Sequence, residues 1–206
     1  PVTLMPTEVG GDVSLPVVIK PVEESGGKGV SIVLRAEDFG PAFARAKALY
    51  GDKFVVQQFI PGRTYVATLV YDEQGHLVVA VAMRSTLTFF TWGGGGCAGE
   101  LFEAPELLRM SDRVIQACGG WRGPVNLEWR DPGQGGRYYV MEANCRLNGY
   151  SYLTTMNGIE MPKIVLALLL GKPVPTVELP LPGKRRNFVI GYRETPIANW
   201  LVDVDA

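Results

Sequence analysis

Apolar runs broken by glycine and proline divide the chain into short strands and four helical stretches. Leu15 to Lys20 is a short apolar strand ending on a lysine, and Val30 to Leu34 is a second. Pro21 to Gly29 lies between them and contains Ser25-Gly26-Gly27-Lys28-Gly29, so the pair reads as a β-hairpin with a long glycine-rich tip. Phe39, Phe43, Ala46 and Leu49/Tyr50 recur near helical spacing and predict a helix over 37–50, stopped by Gly51. Phe54 to Phe59 is a further strand, interrupted by Ile60-Pro61-Gly62. Two β-rich runs, 64–71 and 77–87, flank Asp72-Glu73-Gln74-Gly75-His76 and form a second hairpin. Residues 88–103 contain Gly93 to Gly96 and read as an irregular loop.

Helical spacing returns over 105–118, with Pro105 placed for a first turn. Strands over 123–130 and 137–143 flank the turn Asp131-Pro132-Gly133-Gln134-Gly135-Gly136. Short helices over 151–156 and 161–170 follow. Residues 1–14 show no clear period, and the last stretch, with prolines at 173, 175, 180 and 182, reads as a less regular tail. This order argues for an α+β fold with mainly antiparallel sheet and flanking helices, not a doubly wound parallel one. A break near Phe59 to Gly62 predicts a small lobe over 1–60, a larger lobe over 61–172 and an extension over 173–206.

The composition of the 206 residues, 47% hydrophobic and 20% charged, is that of a globular chain. Twenty basic against 21 acidic residues leave a net charge of −1, so no bulk field points to a nucleic acid or a membrane surface, and any anion must be held locally. No stretch reaches the ~18 consecutive apolar residues of a membrane span. Three scattered cysteines and one histidine give neither a disulfide framework nor a zinc pattern, which favours a reducing, cytoplasmic compartment. Cys145 reads as a small buried apolar residue and His76 as a solvated turn residue.

The chemistry concentrates in Val140-Met141-Glu142-Ala143-Asn144-Cys145-Arg146. Strand alternation puts Glu142 and Asn144 on one side. Across the turn, Glu128 of Val125-Asn126-Leu127-Glu128-Trp129-Arg130 falls almost opposite Glu142. Two carboxylates that close call for a cation, and hard oxygens from Glu128, Glu142 and Asn144 suit Mg²⁺. Arg146 is placed to hold a phosphoryl group or carboxylate in two-pronged fashion, and Arg84 is a further candidate phosphate contact. Lys20 would meet phosphates as a point charge, under a lid of glycine N–H groups. Other readings of the same residues are a polar strand end, a solvated hairpin tip and a glycosidase carboxylate pair. The last leaves Lys20, the glycine loop and Asn144 unexplained. The glycine loop lacks the Gly-x-x-x-x-Gly-Lys-Ser/Thr pattern, which disfavours a P-loop NTPase.

The succession of strand-Lys, glycine-rich hairpin, Val-Val-Gln-Gln-Phe-Ile-Pro-Gly, long hairpin, helix, Gly-Pro-Val-Asn-Leu-Glu-Trp and Val-Met-Glu-Ala-Asn-Cys-Arg-Leu-Asn-Gly resembles an ATP-grasp domain over residues 15–172. The likeness is to the carbamoyl-phosphate-synthetase and biotin-carboxylase-like branch. The resemblance implies a two-lobed ATP-grasp fold binding ATP with Mg²⁺, or Mn²⁺ in its place. It implies phosphate contacts from Lys20 and a lid of Ser25, Gly26, Gly27, Lys28 and Gly29. Adenine would be held by Gln57, Gln58 and the backbone of Phe59 and Ile60. Glu128, Glu142 and Asn144 would carry the metal, while Arg146 and Arg84 would act on the transferring group. The implied reaction joins a small carboxylate to an amine or ammonia through an acyl phosphate. Gln58 and Thr64 stand where relatives carry glutamate, and Cys145 stands for the usual proline. A further N-terminal domain is expected to precede this region in the same protein. A nucleotide-binding or regulatory domain without catalysis is the second reading.

Overall fold

The glycine-rich hairpin, the helix after it and the strand beyond form one small unit around a single apolar layer. A computed structural model describes residues 3–4, 14–24, 26–88, 96–133, 137–175, 177 and 188–189. Strands β1 (Thr3–Leu4), β2 (Val17–Pro21), β3 (Ser31–Val33) and β4 (Phe54–Gln58) make a four-stranded antiparallel sheet in the order β1-β4-β2-β3. Helix α1 (Ala36–Tyr50) covers one face of this sheet. Period-2 alternation turns Val17, Ile19, Val33, Phe54 and Val56 toward Ala42, Ala46 and the half-buried Phe39, Phe43 and Tyr50. Phe43 meets Phe54 edge to face with ring centroids 5.2 Å apart. Leu49 is exposed, so Tyr50 alone takes the last apolar position expected of the helix.

The second unit is built on a hairpin. Strand β5 (Arg63–Tyr71) pairs with β6 (Leu77–Thr88) on one side and with β8 (Gly123–Asp131) on the other. With β7 (Gly96–Leu101), β9 (Tyr139–Asn144) and β10 (Phe188–Val189), they form a six-stranded sheet in the order β10-β7-β6-β5-β8-β9, antiparallel throughout. Strand β5 is buried from Thr64 to Tyr71, which accounts for its nearly unbroken apolar sequence. Each fully buried Leu or Val contributes about 1.5–3 kcal/mol.

Helix α2 (Pro105–Ala117) packs Leu107 and Ile115 with Tyr65, Ala67, Leu69, Tyr71, Ala82, Val125, Leu127 and Trp129. Helices α3 (Ser151–Met156) and α4 (Met161–Leu169) place Leu153, Met161 and Ile164 with Val66, Val70, Val79, Val81 and Met83. Alternate residues of β5 therefore serve two separate cores.

The chain divides into these two units at Pro61/Gly62, giving Pro1–Pro61 and Gly62–Ala206. Gly62 opens the second unit at φ +108°, and a Cβ there would run into the backbone carbonyl of Asp131. The segment expected to be irregular over 88–103 instead contains β7, while residues 89–95 lie outside the described residues. The expected tail contributes β10, and most of it also lies outside them. Among the described residues no helix is long and apolar enough to cross a membrane.

Candidate functional site

The corner around Glu142 is assembled by the register of β8 and β9. Arg130 pairs with Tyr139, and Trp129 with Val140. The ladder then skips one residue, and Glu128 pairs with Glu142, Leu127 with Ala143 and Asn126 with Asn144. Met141 is thus the extra residue of a β-bulge. A regular ladder would set Met141 against Glu128 and turn Glu142 to the α2 side of the sheet. The bulge keeps Glu128, Glu142 and Asn144 together on the α3 side, the face that carries Val66 and Thr68 of β5. Directly opposed residues sit about 5 Å apart at Cβ.

Around this row the polar groups form a short chain. Asn144 Nδ2 donates to Glu142 Oε1 at 2.9 Å, and Arg146 Nη2 donates to Asn144 Oδ1 at 3.3 Å. The Arg146 N–H donates back to the Asn144 carbonyl at 2.8 Å, so the backbone turns sharply as the strand ends. Arg130 donates from Nη1 to the Gly62 carbonyl at 2.7 Å. Burial lowers the pKa of its guanidinium, and the Glu128 carboxylate pulls it in the opposite direction. Glu142 and Arg146 are exposed, while Glu128 and Asn144 are half-buried. Hard oxygen donors of this kind fit Mg²⁺ or Mn²⁺ and do not suit a soft thiophilic metal. Among the described residues no group of three or more His, Cys, Asp or Glu gathers that could hold a metal ion.

Arg84 does not join this corner. It pairs with Tyr65 on β5 and with Glu100 on β7, which puts it on the α2 side of the sheet. There it makes an ion pair with Glu100, whose side chain is 11% exposed. The sequence missed Glu100 because it falls in the segment read as a loop. Cys145 is exposed, contrary to the buried role expected for it, because the chain has left the strand by that point. His76 is solvated and bonded to Asp72, as its turn position implied.

In the first unit, Lys20 and Gln57 lie on the sheet face away from α1. Val18 pairs with Gln57, and Lys20 with Val55. Gln58 follows Gln57 on the same strand and pairs with Val17, so the two side chains leave the sheet on opposite faces. Gln57 is buried, donates from Nε2 to Thr3 Oγ1 at 2.7 Å and, among the described residues, has no partner for Oε1. The Phe59 N–H donates to the Pro16 carbonyl at 3.0 Å. Gly26, Gly27 and Gly29 all have positive φ, which glycine adopts without strain. A Cβ on Gly29 would meet the Tyr50 hydroxyl and force that side chain to shift. Lys28 pairs with Glu24 at 3.1 Å, and Ser25 lies outside the described residues.

Each unit is an antiparallel sheet with flanking helix, with a glycine hairpin in the first and opposed carboxylates in the second. A family model described as "ATP-grasp in the biosynthetic pathway with Ter operon" matches residues 51–187, and one described as "ATP-grasp domain" matches 13–88. The chain belongs to the ATP-grasp family.

A D-alanine–D-alanine ligase from Rickettsia akari (strain Hartford) is 29% identical over 137 residues, 63% of this chain and 42% of that protein. A formate-dependent phosphoribosylglycinamide formyltransferase from Syntrophotalea carbinolica is 27% identical over 203 residues, 91% of this chain and 48% of that protein. Among solved structures, the biotin carboxylase domain of Hydrogenobacter thermophilus 2-oxoglutarate carboxylase, in complex with MgADP, ADP and bicarbonate, shares the fold. It has a TM-score of 0.62 at 14% identity, over 80% of this chain and 38% of that one. The chain thus spans less than half the length of these relatives.

Proposed function

We propose that this chain is the nucleotide-binding portion of an ATP- and Mg²⁺-dependent ligase that joins a carboxylate to an amine or ammonia. The observation that carries the reading is the Met141 bulge, which sets Glu128 opposite Glu142 with Asn144 on the same face. A pair of like charges so placed is unfavourable by itself and is relieved by a divalent cation. Glu128, Glu142 and Asn144 would hold Mg²⁺, which when bound neutralises phosphate charge. Lys20 and the N–H groups of Gly26, Gly27 and Gly29 would hold phosphate oxygens. Gln57 Oε1 and the backbone of Ile60 would hold the base.

Arg146 would bind the equatorial oxygens of the transferring phosphoryl group, or the carboxylate that receives it. The carboxylate oxygen bonds to the γ-phosphorus as the bond to ADP breaks, giving an acyl phosphate. The amine then attacks the acyl carbon, phosphate leaves with the bonding pair, and the nitrogen loses its proton. The protein's part is to align these groups and to keep charge balanced around them.

The test is ADP release by the protein with ATP, Mg²⁺ and panels of carboxylates and amines. Release that needs both partners and stops in Glu128→Ala plus Glu142→Ala is expected. MgADP raising the melting temperature without any such release would instead favour the non-catalytic nucleotide-binding reading. No shift at millimolar MgADP would sink both.

A further inference from the structure

Asn126 is 1% exposed and lies in the same cross-strand row as Asn144, yet the proposed chemistry gives it nothing to do. Its two ends are both committed. Nδ2 donates to the backbone carbonyl of Arg146, and Oδ1 accepts from Thr68 Oγ1 at 2.6 Å. Thr68 is itself 1% exposed and pairs with Asn126 across β5 and β8. Thr68, Asn126 and Asn144 therefore form one row across three strands, on the face that carries Glu128 and Glu142.

The Arg146 carbonyl is beyond the last strand residue, where the ladder no longer fixes the backbone. A buried amide bonded at both ends supplies that constraint, because moving it would strand polar atoms away from water. The sharp turn back from Arg146 to Asn144 then has a fixed end on each side.

We infer that Asn126, oriented by the Thr68 hydroxyl, is a positioning residue that sets the direction of the Asn144 amide and the Arg146 guanidinium. It acts through the Arg146 backbone and touches neither substrate nor metal. The inference rests on the nucleotide-binding reading for its functional consequence, and on the hydrogen-bond geometry alone for its structural one.

Thr68→Val removes the hydroxyl at nearly constant shape, and Thr68→Ser restores it. At fixed ADP, the Mg²⁺ concentration giving half of the nucleotide-dependent rise in melting temperature should increase roughly tenfold in Thr68→Val and in Asn126→Ala. It should return to the wild-type value in Thr68→Ser. The rise produced by ADP in EDTA should be the same in all four proteins. A lower melting temperature with an unchanged Mg²⁺ half-point would mean a merely structural role and would overturn the inference.

If wild type shows no nucleotide shift, the nucleotide reading fails, and the positioning claim is read from amide hydrogen exchange in the free protein. The Arg146 amide should exchange faster in Thr68→Val than in wild type or Thr68→Ser. Equal rates in all three would end the claim.

Discussion

Two charged pairs lie across adjacent strands of the same six-stranded sheet, on opposite faces. On the α2 side Arg84 meets Glu100, opposite in sign, paired and largely buried. On the α3 side Glu128 meets Glu142, alike in sign, with Glu142 exposed and the Arg130 charge acting on Glu128 from along the strand. The first pair is an ion pair of opposite charges. The second sets two like charges opposite each other. Two glutamates at opposed positions in one sheet thus differ in what they face, Glu100 an arginine and Glu142 a second carboxylate.

The comparison breaks most readily at Arg84. Arg84→Met leaves Glu100 buried beside an apolar chain and should cost about 3 kcal/mol in urea unfolding. A loss no greater than that of Glu142→Ala would show that the two pairs do not differ as described. Glu142→Ala should leave the free protein within about 0.5 kcal/mol of wild type. It should also remove the MgADP stabilisation, worth about 2.7 kcal/mol at a hundredfold excess over Kd. Retention of that stabilisation by calorimetry would take Glu142 out of the metal site.

Tyr71, on the same face as Arg84, donates to Asp112 at 2.9 Å. Tyr71→Phe should cost about 1 kcal/mol at neutral pH. Burial, followed by the Asp112 hydrogen bond and charge, raises the Tyr71 phenol above its usual pKa. A group raised in the folded state lends stability that is complete below the unfolded value, about 10 for tyrosine, and is lost as pH rises through the folded one. The gap between wild type and Tyr71→Phe should therefore shrink above pH ~10. A gap that widens there in pH-dependent melts would contradict the assignment.

Much of this arrangement was legible in the chain. Turn residues 131–136 between two β-patterned runs bring Glu142 within one position of Glu128, and the Met141 bulge makes the two directly opposed. The opposite faces of Gln57 and Gln58 also follow from strand alternation. The Arg84–Glu100 pair was not legible. Its strand, Gly96–Leu101, opens on glycine and draws its extended form from pairing with β6, not from its own residues. Nor does anything in Met141 announce a bulge, since the ladder alone decides which residue is extra. The Asn126 contact escaped for a related reason, as its partner is a main-chain carbonyl that any residue at 146 would supply.

The bulge also has a consequence for insertions and deletions, which substitutions would never reveal. Loss of Met141 would leave Val140 opposite Trp129 and bring Glu142 opposite Glu128 in an unbroken ladder, so β9 can shorten there and keep its corner. Loss of Ala143 would set Asn144 against Leu127 and carry the amide through to the other side of the sheet. Two deletions only two residues apart thus have opposite outcomes, and the length of β9 is under a constraint that its composition does not record.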